Sequence, residues 1–370
     1  MVFCVAHRGA SFHEPENTLR AVEAAIKLGA EYVEVDVRRC RSGELVVIHD
    51  ETVDRTTDGK GKVSNLTLNQ LKNLYLAFGE RIPTLAEVAE TVRGKIRLVV
   101  ELKEPELEEQ ALTVLLNSGI LEDVVFASFH HRAIKKIRRL NPKVEGGIIV
   151  RSGLVSPVKV ALECGATHLF QYYRHLDAET LSEAKVKGLT VVAWTVDDRE
   201  TLEKLRSLGV DGIATNRPEI VTGRSLHRKP RAYIAGPVQG LEDRQEYRVS
   251  LAEILRRYGF EVVDPLARER KFYAGMGKDE AVKLSKRDLL DVGYCELVVA
   301  YLPKVSAGTA IELYHAKTRG RTTVLICGDT SGLSPWFKAY SDEIFSSIDA
   351  FEDALKACKF KFCFSGEDKA

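Results

Sequence analysis

Short, apolar, β-branched runs recur along the first 222 residues, at 2–6, 32–37, 98–102, 124–128, 147–150, 168–171, 191–195 and 212–215. Runs this brief and this uniformly apolar suit strands buried on both faces, as in a parallel sheet. Between them, residues 19–28, 133–140, 178–187 and 199–208 repeat their apolar positions every three or four residues, the period of a helix with one buried face. Three of these helices run into glycine, at 29, 188 and 209, the residue that most easily takes the left-handed turn at a helix end. Eight strand–helix units in this length predict an α/β protein beginning with a (β/α)8 TIM barrel over residues 1–222.

One segment departs from the rhythm. Residues 45–48 form an additional apolar run, and 50–83 are polar and include Asp58-Gly59-Lys60-Gly61. We read this as an excursion over the barrel mouth between the second and third barrel strands, with an ordinary surface loop as the alternative. The stretch from Arg217 to Arg231 is polar and basic and lacks periodicity, and its residues 223–230 read as a linker. The pattern then restarts. Strands are expected at 232–235, 261–263, 297–301 and 323–327, and helices at 245–258, 279–291 and 309–319. This predicts a smaller open parallel-sheet α/β domain over 231–358, with 359–370 as a tail.

Composition narrows the function classes. The 370 residues hold 54 Lys and Arg against 53 Asp and Glu, a net charge of +1, which gives no reason to expect nucleic acid or a membrane surface as partner. Seven cysteines, an odd number with no C-x-x-C pair, fit reduced thiols in a cytoplasmic protein better than disulfides or a zinc site. The start, Met1-Val2-Phe3-Cys4, lacks the charged and apolar regions of a secretory leader, and apolar runs such as 297–302 are too short for a transmembrane segment.

Candidate chemistry clusters at the ends of the expected barrel strands: His7-Arg8-Gly9, Glu34-Val35-Asp36, His49-Asp50 and Glu101-Leu102-Lys103. Glu34 and Asp36 are two apart on a strand, so their side chains share a face, which in a barrel points inward. Carboxylates so placed repel unless a cation or proton lies between them. Glu101 would complete an oxygen set suited to a hard ion such as Mg2+ or Ca2+. E-x-D alone is more often a pair of salt-bridge partners, and a single strand-end histidine is more often structural; the convergence of all five changes the balance. His7 and His49 are placed to move protons, Arg8 and Lys103 to neutralise phosphoryl oxygens, and Gly9 to let the backbone turn sharply.

With Pro15-Glu16-Asn17-Thr18, Arg55-x-Thr57, Ser128-Phe129, Trp194-Thr195-Val196-Asp197 and Thr215-Asn216-Arg217-Pro218 added, residues 1–222 resemble the glycerophosphodiester phosphodiesterase family. The resemblance implies His7 and His49 as the acid/base pair, and Glu34, Asp36 and Glu101 as ligands of a divalent metal, with Mn2+ an alternative to Mg2+ or Ca2+. It implies phosphate contacts by Arg8 and Lys103, and a pocket wall at Trp194, for which core packing is the competing role. The substrate would be a small glycerophosphodiester whose own glycerol hydroxyl serves as nucleophile, giving glycerol phosphate and an alcohol. The short excursion after His49 would leave an open mouth and a broad choice of head group.

In the second domain, Ser306-Ala307-Gly308-Thr309-Ala310-Ile311-Glu312 follows a strand and opens a helix, which offers backbone N–H groups to an anion, with Gly308 allowing close approach. Glu312 is expected in that helix's first turn. A simple helix cap explains the Ser and Gly equally well. Together with Tyr233-Ile234-Ala235-Gly236-Pro237, Arg244, Asp288 and Tyr301, residues 231–355 resemble the nucleoside 2-deoxyribosyltransferase-like family, including its nucleotide N-glycosidase branch. The resemblance implies Glu312 as nucleophile, Asp288 as the acid assisting the base, and Ser306 with Gly236 and the loop to 240 holding a 5′-phosphate. The transferase branch usually has an acid where Ser306 stands, so the serine tilts toward nucleotides. Domains of this type often self-associate, so a homo-oligomer is expected. Three functions follow: two enzymes in one chain, a diesterase carrying a nucleotide-binding regulator, or an N-glycosidase supplied by the barrel.

Overall fold

The computed structural model describes residues 2–268 and 276–357, so the whole of the expected tail, 359–370, lies outside the described residues together with Cys358. The chain folds as two compact units that divide between Leu226 and His227. Residues 223–230 carry neither helix nor strand, whereas Pro218–Thr222, inside the stretch expected to be irregular, forms a short helix.

The first unit is built on β1 (Phe3–Ala6), β2 (Tyr32–Arg39), β3 (Leu45–Val47), β4 (Arg97–Leu102), β5 (Val124–Ser128), β6 (Glu145–Val150), β7 (His168–Tyr172), β8 (Thr190–Trp194) and β9 (Gly212–Thr215). All but β3 run parallel, in the order β1-β9-β8-β7-β6-β5-β4-β2, and pairing of β1 with β2 closes the eight into a barrel. Alternation along the strands divides the core. Val5, Val99, Val125, Phe170 and Val192 fill the interior, while Cys4, Ala6, Val33, Val35, Leu98 and Val100 face the surrounding helices. Because the interior is packed solid, only residues at the C-terminal strand ends are left to build a site.

The run at 45–48 is β3. It pairs antiparallel with the C-terminal end of β2, Val37 opposite Val47, and therefore lies on the mouth side of the barrel. Cys40, Val46, Ile48, Val53, Val63, Leu71, Leu76 and Ile82 give this excursion a small core of its own. The helix Leu19–Lys27 begins where Thr18 accepts a hydrogen bond from Ala21 N, which explains the threonine that closes Pro15-Glu16-Asn17-Thr18. Helices Leu85–Val92, Glu108–Asn117 and Pro157–Glu163 complete the outer layer.

The second unit has β10 (Arg231–Ala235), β11 (Glu261–Val263), β12 (Leu297–Tyr301), β13 (Thr322–Ile326) and β14 (Glu343–Phe345), all parallel in the order β11-β10-β12-β13-β14. The sequence pattern gives only the first four. β14 is three residues long and partly exposed, too short and too polar to register as an apolar run. The strand order reverses beside β10, so a crevice opens past the ends of β10 and β12, the usual ligand position in such sheets. Among the described residues no helix is long and apolar enough to cross a membrane, and Cys4, Cys40, Cys164, Cys295 and Cys327 are free thiols.

Candidate active sites

Glu34, Asp36 and Glu101 project from adjacent strands, β2 and β4, where Asp36 and Glu101 are direct register partners. Each offers a carboxylate oxygen within 4.8 Å of the others, and all three are buried. Glu34 Oε2 accepts from Arg8 N at 2.8 Å, while Glu34 Oε1 is buried without a hydrogen-bond partner. Asp36 Oδ2 accepts from Asn17 Nδ2 at 2.8 Å and lies 3.1 Å from Arg8 Nε; its Oδ1 is 3.3 Å from Lys103 Nζ. Lys103 Nζ also donates to Glu101 Oε1 at 2.5 Å.

The electrostatics follow from that crowding. Burial first, then Asp36 and Glu101, push Glu34 well above the ordinary carboxyl range. Burial and the charge of Asp36 likewise lift Glu101 to about 7. Burial works to raise Asp36 too, but Arg8 and Lys103 outweigh it and hold Asp36 at about 2. Three acids therefore surround two cations, and two buried oxygens, Glu34 Oε1 and Asp36 Oδ1, lack a hydrogen-bond partner. That donor set, oxygen-only and short of positive charge, fits a divalent hard cation.

The turn after β1 brings the first histidine to this cluster. Arg8 (φ 56) and Gly9 (φ 81) are both left-handed, and a Cβ on Gly9 would fall 2.6 Å from the Ala21 backbone, so no other residue fits there. His7 Nδ1 lies 2.8 Å from Asn216 Oδ1, and Asn216 Nδ2 donates to Asp197 Oδ2 at 2.6 Å. Ser11 Oγ donates to Asn216 Oδ1 at 2.8 Å, which makes this oxygen an acceptor twice over. Burial, and then the charge on Arg8, lower the His7 imidazole to about 4, so the ring is neutral near pH 7.

His49 stands two residues beyond β3, not at its end. Ile48 N donates to Asp36 O at 2.9 Å, and Arg38 Nε donates to His49 O at 2.9 Å; together these hold the backbone at the mouth. His49 Nδ1 is 2.6 Å from Asp50 Oδ1. Burial tends to raise Asp50, but Arg55 and His49 overcome it and keep the carboxyl at about 2. Arg55 reaches Asp50 Oδ2 at 2.6 Å and both oxygens of Glu16 at 2.6 and 2.8 Å, and Glu16 accepts from Arg8 Nη1 at 3.0 Å. Burial lowers the His49 imidazole, against the pull of the nearby Asp36.

Across the mouth, Trp194 is half-buried. Its Nε1 donates to Phe170 O at 3.0 Å, and its ring meets Phe129 and Tyr172, each at 5.6 Å between centroids. It is both packed and mouth-facing, so neither expected role is exclusive. Lys103 Nζ lies 5.7 Å from the centre of the Phe129 ring.

In the second unit Tyr233, on β10, donates to Glu312 Oε1 at 2.7 Å. Burial raises the Glu312 carboxyl to about 8, and the charge of the buried Asp288 adds to it. The helix bearing Glu312 is Ala307–Thr318, starting two residues earlier than the sequence pattern predicts, so Glu312 falls in its second turn rather than its first. Ser306 is that helix's cap and accepts from Thr309 N, while a Cβ on Gly308 would meet only Ser306 Oγ at 3.8 Å, so packing does not demand glycine there. Gly236 is different: a Cβ would lie 2.3 Å from Tyr247 Oη. Sequence reading named Arg244, but the residue that organises this corner is buried Arg248. It donates to Ile234 O, Gly236 O and Asp264 Oδ1, each at 2.9 Å.

Four barrel residues quoted only as parts of motifs thus have defined partners: Asn17, Asp50, Asp197 and Asn216. Asp50, Asp197 and Asn216 stand just past strand ends, the signal that could have found them, whereas Asn17 stands just before the helix Leu19–Lys27. Arg248 has no such signal, since it sits in the first turn of the helix Glu246–Arg257 among other charged residues.

Comparison with known proteins places both units. A glycerophosphodiester phosphodiesterase of Caldanaerobacter subterraneus subsp. tengcongensis is 39% identical over 228 residues, covering 58% of this chain and 94% of the relative. An Oleispira antarctica phosphodiesterase, solved in complex with the product sn-glycerol-3-phosphate, superposes with a TM-score of 0.56 at 28% identity, over 60% of this chain and 95% of its own. The glycerophosphodiester phosphodiesterase of Thermotoga maritima gives a TM-score of 0.53 at 29% identity, over 60% and 98% of the two chains. Residues 232–356 match the model of the nucleoside 2-deoxyribosyltransferase family. Residues 7–220, more than half of the 370, match that of the glycerophosphoryl diester phosphodiesterase family, and it is to this family that the chain belongs.

Proposed function

We propose that the barrel hydrolyses glycerophosphodiesters to glycerol phosphate and an alcohol, using a divalent cation held by Glu34, Asp36 and Glu101 and a proton relay between His7 and His49. The observation that carries this reading is the buried carboxylate trio, set close to two histidines whose Nδ1 atoms are each already bonded to a fixed partner. A cation bound there supplies a Lewis acid for the phosphoryl oxygens. Arg8 and Lys103, anchored on the same carboxylates, add positive charge where the diester would sit.

The two histidines are not equivalent. His7, neutral and with Nε2 left to accept, takes the proton from the attacking hydroxyl, which is either water, giving glycerol phosphate directly, or the substrate's own glycerol hydroxyl, giving a cyclic phosphate that a water then opens to glycerol phosphate. His49 is also lowered by burial, but its Nδ1 is bonded to the ionised Asp50, which steadies the imidazolium that gives its proton to the departing alkoxide. The solved relative that holds sn-glycerol-3-phosphate as product supports the same direction of cleavage. The test is hydrolysis of glycerophosphocholine and glycerophosphoethanolamine with added Mg2+, Mn2+ or Ca2+, beside EDTA and His7→Ala. Cation-dependent release of glycerol phosphate that disappears in the variant supports the reading, and no turnover with any cation rejects it.

For the second unit, the buried Tyr233–Glu312 pair supports cleavage or transfer at the N-glycosidic bond of a nucleotide, with Glu312 as nucleophile and Asp288 as the assisting acid. Ser306, Gly308 and Gly236 border the place for the phosphate end. Loss of base release in Glu312→Ala with the diesterase intact would support two enzymes in one chain. A wild-type protein that binds nucleotide and releases no base would make the unit a regulator.

A further inference from the structure

Arg55, from Arg55-x-Thr57, has no part in the chemistry above. It stands on the excursion beyond β3, where the chain doubles back on itself. Val63 N donates to Glu51 O at 2.9 Å, Val53 N to Gly61 O at 3.0 Å, and Gly61 N to Asp54 Oδ1 at 2.8 Å. The segment so pinned brings one guanidinium to two carboxylates from different parts of the chain. Nε and Nη2 reach Asp50 Oδ2 and Oδ1 at 2.6 and 3.2 Å, while Nη1 and Nη2 reach Glu16 Oε2 and Oε1 at 2.6 and 2.8 Å. An exposed ion pair ordinarily contributes little. A planar fork engaged on two sides does more, because each pair of parallel bonds fixes an angle as well as a distance.

The groups joined by this clamp differ in what else holds them. Glu16 lies between β1 and the helix Leu19–Lys27 and accepts from Arg8, which has another anchor in Asp36 at 3.1 Å. His7 is held from the far side by Asn216. The His49 backbone is fixed through Arg38, but the support of its ring runs through a single carboxylate. Among the described residues the Asp50 carboxylate bonds only to His49 and Arg55.

Resting on the diesterase reading, we propose that Arg55 is a positioning residue for the proton donor: it ties Asp50 to Glu16 and so fixes the His49 ring relative to the turn that carries His7 and Arg8. All three guanidinium nitrogens are already engaged by carboxylates, which leaves the phosphoryl oxygens to Arg8 and Lys103. A lysine in this place is a single point charge, able to draw one carboxylate without setting the angle of the other. Without the clamp Asp50 swings, the imidazole follows it, and the proton on Nε2 no longer points at the leaving oxygen. A displacement of about 1 Å is enough to lower a rate about 100-fold. His7 keeps its own anchor, so loss of Arg55 injures proton donation and spares the attack.

The experiment assays the full-length protein, Arg55→Ala and Arg55→Lys in Mg2+ on two substrates. One is glycerophosphocholine; the other is a p-nitrophenyl diester of glycerol phosphate, whose leaving group departs without a proton. Arg55→Ala is expected to lose about 10- to 100-fold in kcat on glycerophosphocholine, with KM nearly unchanged, and far less on the p-nitrophenyl diester. Activity on the second substrate also shows that the variant is folded. Arg55→Lys, which keeps the charge but not the fork, should fall with it, and gives the same comparison should Arg55→Ala not fold. The Arg55 side chain is 47% exposed, so guanidinium ion can enter the gap left by its removal. Guanidinium chloride well below denaturing concentration should restore part of the Arg55→Ala loss where equal sodium chloride does not. Equal losses on the two substrates overturn the proposal, since a general loosening of the site would produce them. Wild-type activity of either variant on glycerophosphocholine also overturns it and leaves the diesterase reading standing. Wild-type turnover of neither substrate rejects the diesterase reading and the clamp with it.

Discussion

His7 Nδ1 lies 2.8 Å from Asn216 Oδ1, and the far side of that amide, Nδ2, donates to Asp197 Oδ2 at 2.6 Å. The second bond decides the first. With its nitrogen committed to a carboxylate, Asn216 presents oxygen to the ring, so Nδ1 carries the hydrogen and Nε2 is left to accept a proton. Asn216 is thus a positioning residue that fixes the tautomer of His7, the proposed base. Asn216→Asp places a carboxylate beside Nδ1, which favours the imidazolium and raises the His7 pKa from about 4. The neutral base is then lost at higher pH, and the acid limb of kcat/KM for glycerophosphocholine should rise by about one pH unit or more. A pH profile in Mg2+ checks this, and an unmoved limb counts against His7 as the base.

The partner of His49 is an anion, Asp50, itself clamped by Arg55, and that difference separates the two histidines. A group that protonates a leaving alkoxide matters less when the leaving group needs no proton. His49→Ala should lose about 10²- to 10⁴-fold in kcat on glycerophosphocholine and far less on a p-nitrophenyl diester of glycerol phosphate. His7→Ala should fail on both. Equal losses for His49→Ala on the two substrates would remove it from the acid role.

The barrel and its acids were legible because both depend on short-range pattern. Glu34 and Asp36 share a face by the two-residue period of a strand, and the pairing of Asp36 with Glu101 follows once their strands are neighbours. What the pattern conceals is what long-range contact decides. Asp197 and Asn216 meet each other and His7 only after β8 and β9 close against β1, across 209 residues between His7 and Asn216. Arg248 looks like one more surface charge until folding buries it against Ile234 O, Gly236 O and Asp264. β14 escapes notice because three half-exposed residues carry no period. The start of the helix bearing Glu312 was misplaced by two residues because Gly308 argues locally against helix, whereas the Ser306 cap sets the start at Ala307.

If Glu34, Asp36 and Glu101 hold the proposed cation, their crowding makes it a folding ligand as well as a catalytic one. A ligand at a hundred times its Kd adds about 2.7 kcal/mol to the folded state. For a unit of this size that corresponds to about 5–10 °C in Tm. Adding Mg2+ or Ca2+ to EDTA-treated protein should raise the barrel's melting temperature by that order, and Glu34→Gln, which removes the charge from the oxygen that lacks a partner, should abolish most of the rise. Differential scanning calorimetry reads this without any substrate. A shift retained in full by Glu34→Gln would place the cation elsewhere.

Glu312 makes the opposite kind of demand on its unit. Burial first, and the charge of Asp288 besides, hold its carboxyl at about 8 against an ordinary value of 4.5. Between these values the folded unit keeps a proton that the unfolded chain releases, so the unfolded state binds fewer protons and stability falls as pH rises through the window. The stabilising contribution is complete below about pH 4.5 and gone above about 8. Glu312→Gln keeps an oxygen for Tyr233 and removes the titration. It should therefore flatten the decline and make the variant more stable than wild type at pH 8.5, by up to about 5 kcal/mol. At pH 4 the two should lie close together. Trp336 is the single tryptophan of this unit, so its fluorescence in a Trp194→Phe background follows the unfolding of this unit alone in urea. If Glu312 is also the nucleophile, base release from a nucleotide should climb with pH over the same range in which the wild type loses stability, because ionising the buried carboxylate creates the reactive form and exacts the desolvation cost together. Parallel stability curves for wild type and Glu312→Gln would mean that the carboxyl is already ionised in the folded unit.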